Sequence, residues 1–331
     1  MAVSIIQKTG SFFIKKIAFT ARKHRFWSEY ILETHNLEKR YKNFKAISNF
    51  NMHIQKGAIY GLIGKNGAGK TTVIRLICGL QKPTNGTYSI YGISNTNKNI
   101  IEIRKRIGAI IETPSIYLDM TAEENLKEQY KIIGLPSYDN LEELLQIVGL
   151  SNTGKKKAKN FSLGMKQRLG IAIALVGNPD LLILDEPING LDPEGIIEIR
   201  ELILKLNRER GITFLISSHY LDELSKIATH YGFVDKGRII KEISSKELEN
   251  NCRKRIEITV NNVKECSKYL EQNQISYEVL SNSIIDIYDN INISDFTIEL
   301  SKRNCAISEF HEKEESLENY YMNLIGGGEN V

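Results

Sequence analysis

The chain has 331 residues, of which 41% are hydrophobic and 25% charged, enough length for two domains and enough apolar content for a sizeable buried core. No apolar run reaches the ~18 residues needed to span a bilayer, which excludes a membrane-spanning helix. Its four cysteines, Cys78, Cys252, Cys266 and Cys305, have neither metal-ligand spacing nor the density of a disulfide framework, so they read as reduced thiols.

The net charge of +4 belongs to the start of the chain. Residues 1–30 hold Lys8, Lys15, Lys16, Arg22, Lys23 and Arg25 against Glu29 alone, interleaved with Phe12, Phe13, Phe19, Phe26 and Trp27. Such a mixture suits an anionic membrane surface. On a helical wheel, however, Phe12, Phe19 and Phe26 fall on the side of Lys16 and Lys23, so the amphipathicity is poor. An unordered or subunit-packing extension is the favoured reading. No secretory h-region is evident.

The apolar run Ala58 to Ile63 predicts a buried strand, and Thr71 to Cys78 predicts the helix that follows it, ended by Gly79. Between them lies Gly64-Lys65-Asn66-Gly67-Ala68-Gly69-Lys70-Thr71, the pattern of a phosphate-binding loop in its required strand-loop-helix setting. Gly64, Gly67 and Gly69 allow backbone conformations closed to other residues, so the N–H groups from Asn66 through Thr72 converge on phosphate oxygens at a helix N-terminus. Lys70 reaches the terminal phosphates as a compact point charge, and the Thr71 hydroxyl is placed to ligate Mg2+.

A short apolar stretch, Ile107 to Ile111, leads into Glu112-Thr113-Pro114. The pattern then turns helical. Thr121 with Glu124 forms a capping box opening a helix to about Ile133, and Asn140 to Val148 predicts a second, ended by Gly149. The run Lys155-Lys156-Lys157-Ala158-Lys159 reads as a solvated loop. A further helix begins near Ser162, where free N–H groups, a hydroxyl and the small Gly164 make an anion site; a plain N-cap is the alternative reading.

Leu181 to Leu184 shows no alternation, as expected of a strand covered on both faces, and ends in Asp185 and Glu186. Ligands of open α/β sheets bind at that end of the strands. Asp185 is therefore assigned to Mg2+, directly or through water, and Glu186 to the attacking water as base or orienter. Adjacent strand residues point opposite ways, so the two carboxylates divide these roles while the strand stays regular. Thr213 to Ile216 predicts the next strand, with His219 just past its end, able to reach a γ-phosphate and hold water and Glu186 in line. A structural histidine is the plainer alternative.

After Gly237-Arg238 the phosphate chemistry stops. Arg255 to Val260 alternates as a strand, Val263 to Gln272 as a helix, Tyr277 to Tyr288 as one or two strands, and Asp295 to Arg303 as another helix, giving a small α+β accessory domain. Ser316 to Ile325 has helical spacing through Leu317, Tyr320, Tyr321 and Leu324. The expected division is a basic, aromatic extension over 1–29, a nucleotide-binding domain over 30–238 with a helical subdomain at about 115–165, and the accessory domain over 239–331.

Taken together, the phosphate loop, Phe161-Ser162-Leu163-Gly164-Met165, Asp185-Glu186, Gly190-Leu191-Asp192 and His219 resemble the ATP-binding subunit of an ABC transporter, over about residues 30–238. The resemblance implies a P-loop α/β core, a mixed sheet flanked by helices with the helical subdomain inserted. It further implies that Tyr41 stacks on adenine, and that Ser162 and Gly164 contact the ATP of a second ATP-binding subunit in a head-to-tail dimer, expected to be a homodimer. Asp192 would bridge the two subunits and His219 would act as the switch histidine. Implied partners are separate transmembrane permease subunits at the cytoplasmic face of the membrane, with no nucleic acid. The helical subdomain would receive the permease.

Three positions depart from the family pattern: Leu163 and Met165 replace a Gly and a Gln of the signature, and Glu112 stands where most members carry a Gln that touches Mg2+. Glu112 is expected to be tolerated in ATP binding, with a possible metal contact, and to matter for coupling. With Asn-Gly-Leu-Asp-Pro after the acidic pair, these departures resemble transporters of the bacitracin-resistance and lantibiotic-immunity type, which implies export of a peptide antibiotic. Alternatives are a soluble non-transport ATPase of the same family, which would usually show a coiled-coil insertion or two cassettes, and a nucleotide-sensing module, against which the intact Glu186 argues. A GTPase switch would carry an Asn-Lys-x-Asp motif, absent here.

Overall fold

The computed structural model describes residues 29–252, 254–313 and 317–326. The expectations placed on residues 1–28 lie outside the described residues. The described residues fall into two compact units, one comprising 29–220 with Lys226–Glu242, the other Leu221–Ser225 with the described residues from Ile243 onward.

The first unit opens with two long antiparallel strands, β1 (Tyr30–Tyr41) and β2 (Phe44–Gln55), joined by a tight hairpin in which Tyr41 opposes Phe44. Strand β3 (Ile59–Ile63) leads into the helix Lys70–Ile77, after which β4 (Asn85–Ile90) and the short β5 (Ile93–Ser94) complete a four-stranded sheet of order β2-β1-β4-β5. A second sheet takes β3, then β6 (Ile107–Ile110), β7 (Leu181–Asp185), β8 (Thr213–Ser218), β9 (His230–Asp235) and β10 (Arg238–Ser244) in the order β10-β9-β3-β8-β7-β6. Neighbours from β9 to β6 pair in parallel. Every residue of β3, β7 and β8 is buried, which explains why none of them alternates: each face of a parallel sheet is covered.

Between β6 and β7 runs the helical insertion. Its helix Ala122–Ile132 carries the expected capping box, with Thr121 accepting from the Glu124 N–H while the Glu124 side chain accepts from the Thr121 N–H. The helix Leu141–Ile147 follows, then two short 3-10 turns, then the helix Leu163–Leu175 capped by Ser162. A Pro at the first turn, Asp192 at the N-cap and a left-handed Gly211 at the C-cap define the long helix Pro193–Arg210 between β7 and β8.

The boundary expected after Arg238 falls inside β10, whose first five residues stay with the first unit while the second begins at Ile243. Gly237 belongs to the two-residue Lys236-Gly237 turn between β9 and β10, and Arg238 already opens β10.

In the second unit, β11 (Arg255–Val260), the helix Val263–Gln272, β12 (Tyr277–Val279), β13 (Ile284–Ile287), the helix Ile293–Lys302 and β14 (Ile307–Lys313) form a βαββαβ unit. Its sheet order is β12-β13-β11-β14, antiparallel throughout. Ile256, Ile258, Val260, Ile285 and Ile287 bury one face against Cys266, Leu270, Phe296 and Leu300 of the two helices. The sequence reading did not anticipate β14, an edge strand whose residues are all exposed or half-buried and therefore carry no apolar alternation.

Candidate functional site

The loop between β3 and the helix Lys70–Ile77 wraps back on itself through two left-handed glycines, Gly67 at φ +82 and Gly69 at φ +109. A Cβ at Gly69 would also lie 2.6 Å from Ile47 Cδ1 and 3.0 Å from Ala46 O, so no other residue fits there. Ala68 is buried under the turn, Asn66 and Gly67 face solvent, and Thr71 and Thr72 are half-buried at the helix start. The Lys70 side chain, only 6% exposed, folds over the loop: its ammonium donates to Gly64 O at 2.6 Å and lies 3.2 Å from Glu186 Oε1.

Parallel pairing of β7 with β8 sets Asp185 beside Ser217, so the ends of the two strands deliver their polar residues together. Asp185 is 1% exposed and accepts one hydrogen bond, from Ser217 Oγ to Oδ1 at 2.5 Å; its Oδ2 is buried with no protein partner. A buried carboxylate oxygen left unpaired costs about 1–3 kcal/mol, and a hard cation with oxygen ligands suits this donor set together with the Thr71 hydroxyl. The residues therefore fit Mg2+.

Glu186 does not continue the strand. Its φ of +51 puts it in the left-handed region, a conformation that costs a non-glycine residue about 1 kcal/mol or more, and its N–H is held by Ser217 Oγ at 3.0 Å. The strand thus breaks between the two carboxylates, and the opposite-face argument from a regular strand no longer governs where Glu186 points. Its Oε2 lies 2.8 Å from His219 Nδ1 while Oε1 faces Lys70. His219 in turn packs against Tyr220 with ring centroids 4.0 Å apart. Lys70, Asp185, Glu186 and His219 are thereby gathered at the carboxyl end of the sheet, and Ser217, which the sequence reading gave no role, ties two of them in place.

Tyr41 ends β1 with its ring 40% exposed; the phenol donates to Gln81 Oε1 and the Lys39 ammonium lies 5.2 Å from the ring centroid. An exposed ring pinned at both its hydroxyl and its face is a fixed platform for stacking. Glu112 follows β6 at φ +63 and pairs with Arg75 at 2.6 Å.

Ser162 and Gly164 belong to a different element, the start of the helix Leu163–Leu175. Ser162 Oγ accepts from the Met165 N–H at 3.2 Å, and Gly164 is buried with Gly195 and Leu191 as its near neighbours. Asp192 caps its own helix, Oδ1 accepting from the Gly195 N–H at 3.1 Å. Leu163 remains 49% exposed next to Gly190.

A strand-loop-helix phosphate cradle with a buried Lys, and a carboxylate pair and a histidine at the ends of adjacent parallel strands, define a P-loop nucleoside triphosphate hydrolase. The model of the ABC transporter family matches residues 47–189. The chain is 42% identical to the bacitracin transport ATP-binding protein BcrA of Enterococcus faecalis, over 91% of this chain and 98% of that one. It is 44% identical to the lantibiotic transport ATP-binding protein SrtF of Streptococcus pyogenes, over 66% of this chain and 93% of that one. Among solved structures, an ATP-binding cassette of an ABC transporter in its ADP conformation matches with a TM-score of 0.60 at 31% identity, over 67% of this chain and 94% of that one. A dimeric cassette bound to ADP and Pi matches with a TM-score of 0.58 at 26% identity, over 65% of this chain and 98% of that one. The chain belongs to the ABC transporter ATP-binding proteins and is the ATP-hydrolysing subunit of such a transporter. Among the described residues no helix is long and apolar enough to cross a membrane.

Proposed function

We propose that two copies of this chain clamp two ATP molecules head to tail and hydrolyse them to power export through separate transmembrane permease subunits at the cytoplasmic face of the membrane. The exported molecule is proposed to be a peptide antibiotic, by analogy with the relatives named for bacitracin and lantibiotic transport. The observation that carries the catalytic part is Glu186 held between Lys70 and His219, at 3.2 and 2.8 Å, beside an Asp185 oxygen that lacks a protein partner.

In this reading Tyr41 stacks on the adenine, the N–H groups of Asn66, Gly67, Ala68, Gly69, Lys70, Thr71 and Thr72 bind the phosphates, and the Lys70 ammonium neutralises the terminal ones. Asp185 and Thr71 would hold Mg2+, which would supply charge neutralisation to the phosphates. Glu186 accepts the proton of a water as its oxygen attacks the γ-phosphorus and the bond to the β,γ-bridging oxygen breaks, releasing ADP and phosphate. His219 orients Glu186 through Nδ1 and would contact the γ-phosphate. Ser162 and Gly164, at the start of the helix Leu163–Leu175, serve the ATP of the partner, with Asp192 near the shared boundary.

A cavity of about 290 Å³ beside the phosphate-loop domain's helical insertion, lined by Tyr117, Asn125, Gln129, Ile132 and Ile173 among others, is our proposed permease contact. Tyr117, Leu118 and Ile132 around it are at least half exposed, as a surface awaiting a partner would be. Glu112, just ahead of this region, is proposed to couple the two.

The test is light scattering of Glu186→Gln with MgATP. Binding without hydrolysis should accumulate a dimer; a monomer at saturating MgATP would overturn the shared-site mechanism.

A further inference from the structure

Three carboxylates lie at or just past the ends of the neighbouring parallel strands β6 and β7, and each is held differently. Ser217 holds Asp185, while Lys70 and His219 flank Glu186. The third, Glu112, follows β6 by two residues, and β6 is the parallel neighbour of β7, with Ile110 paired to Leu184 just before Asp185 and Glu186. A carboxylate added next to a triphosphate site repels the ligand unless a cation balances it.

We infer that Arg75 is a positioning residue that makes a glutamate at position 112 compatible with MgATP. Its guanidinium meets Glu112 Oε1 at 2.6 Å from the same helix, Lys70–Ile77, whose first residue is the phosphate-binding Lys70. The inference rests on the reading that MgATP occupies this phosphate loop. Stability is not what the pair supplies: the two side chains are 35% and 62% exposed, and exposed pairs contribute little to folding. Its consequence is local. Arg75 draws the Glu112 carboxylate along the helix and offsets its charge at the sheet end, while the left-handed backbone at Glu112, φ +63, fixes the direction in which the side chain leaves the chain. The backbone carbonyl of residue 75 accepts from the Gln81 N–H, and Gln81 Oε1 accepts from the Tyr41 phenol; neither bond involves the Arg75 side chain.

The experiment is a double-mutant cycle read by affinity for MgATP, measured by displacement of a fluorescent ATP analogue. The full chain is compared with Arg75→Gln, Glu112→Gln, the double variant and Arg75→Lys. Removing the guanidinium should weaken MgATP binding about tenfold when Glu112 is present, and by less than about twofold in the Glu112→Gln background. Arg75→Lys, which keeps the charge, should recover most of the loss. Equal losses from Arg75→Gln in both backgrounds would overturn the inference, because Arg75 would then act independently of Glu112. Equal affinities in all variants would overturn it as well. Failure of the unmutated chain to bind MgATP would instead refute the underlying reading of the site.

Discussion

Replacing Asp185 by Asn separates metal binding from folding in a way the geometry makes quantitative. Asp185 is 1% exposed, its Oδ1 is satisfied by Ser217 and its Oδ2 by no protein group. Asn keeps the acceptor for Ser217 and removes an uncompensated buried charge, a gain of about 1–2 kcal/mol in the metal-free protein. For a domain of this size that is a rise in Tm of about 2–8 °C. The bound state should respond in the opposite direction. Ligand at about 100 times its Kd adds about 2.7 kcal/mol to a protein able to bind it, and the Mg2+-dependent share of that increment should vanish in Asp185→Asn. Thermal melting in EDTA, with ATP and EDTA, and with MgATP measures all three quantities. A variant less stable than the parent in EDTA that still gains its full increment from Mg2+ would refute the assignment, because Asp185 would then be a folding residue and not a metal ligand.

Ser162→Ala removes the hydrogen bond from the Met165 N–H and should cost about 1 kcal/mol in urea denaturation. In the Glu186→Gln background it should also abolish MgATP-driven dimerisation while leaving binding to the monomer intact; light scattering and nucleotide titration distinguish the two. Gly108→Ala drives a Cβ into Ala174 O and places it 2.6 Å from Leu182 Cδ2, so β6 must shift. A loss of about 2–4 kcal/mol in a denaturant titration is expected. Burial pushes the Cys78 and Cys266 thiols up to about 12 from 9.0. A raised thiol pKa favours the neutral form, so their stabilisation is complete below pH 9 and is lost as pH rises toward 12. Iodoacetamide at pH 8 should therefore label the folded protein far more slowly at these two than after unfolding, as mass spectrometry would report.

Much of this architecture is legible in the chain because its signals are local. The phosphate loop declares itself by glycine spacing between a strand and a helix, and β7 by four successive apolar residues before its carboxylates. Thr121 and Glu124 announce their helix by reciprocal capping, and the structure shows both bonds. What escaped the sequence reading depends on strand pairing or on backbone torsion. Ser217 acquires its role only because β8 lies beside β7, in a register that no local pattern encodes. The turn of Glu186 into the left-handed region contradicts the apolar strand that precedes it, and Glu112 does the same after β6. The Arg75–Glu112 pair joins residues 37 apart in sequence, so neither predicts the other. Edge strand β14 was missed for the opposite reason: little of it is buried, so there is no periodicity to detect.

The central claim is that each ATP site is built from two chains, and subunit complementation tests it most directly. A Lys70→Ala chain lacks the phosphate-loop cation, and a Ser162→Arg chain lacks a usable signature helix. Each homodimer should be inactive at both sites. Mixed in equal amounts, half of the dimers combine one chain of each kind, and each of these holds one site with intact Lys70 and intact Ser162. ATPase activity should reappear at about a quarter of the unmutated level, the fraction expected from random pairing in a two-fold dimer. A mixture as inactive as its separate components would contradict the shared-site account.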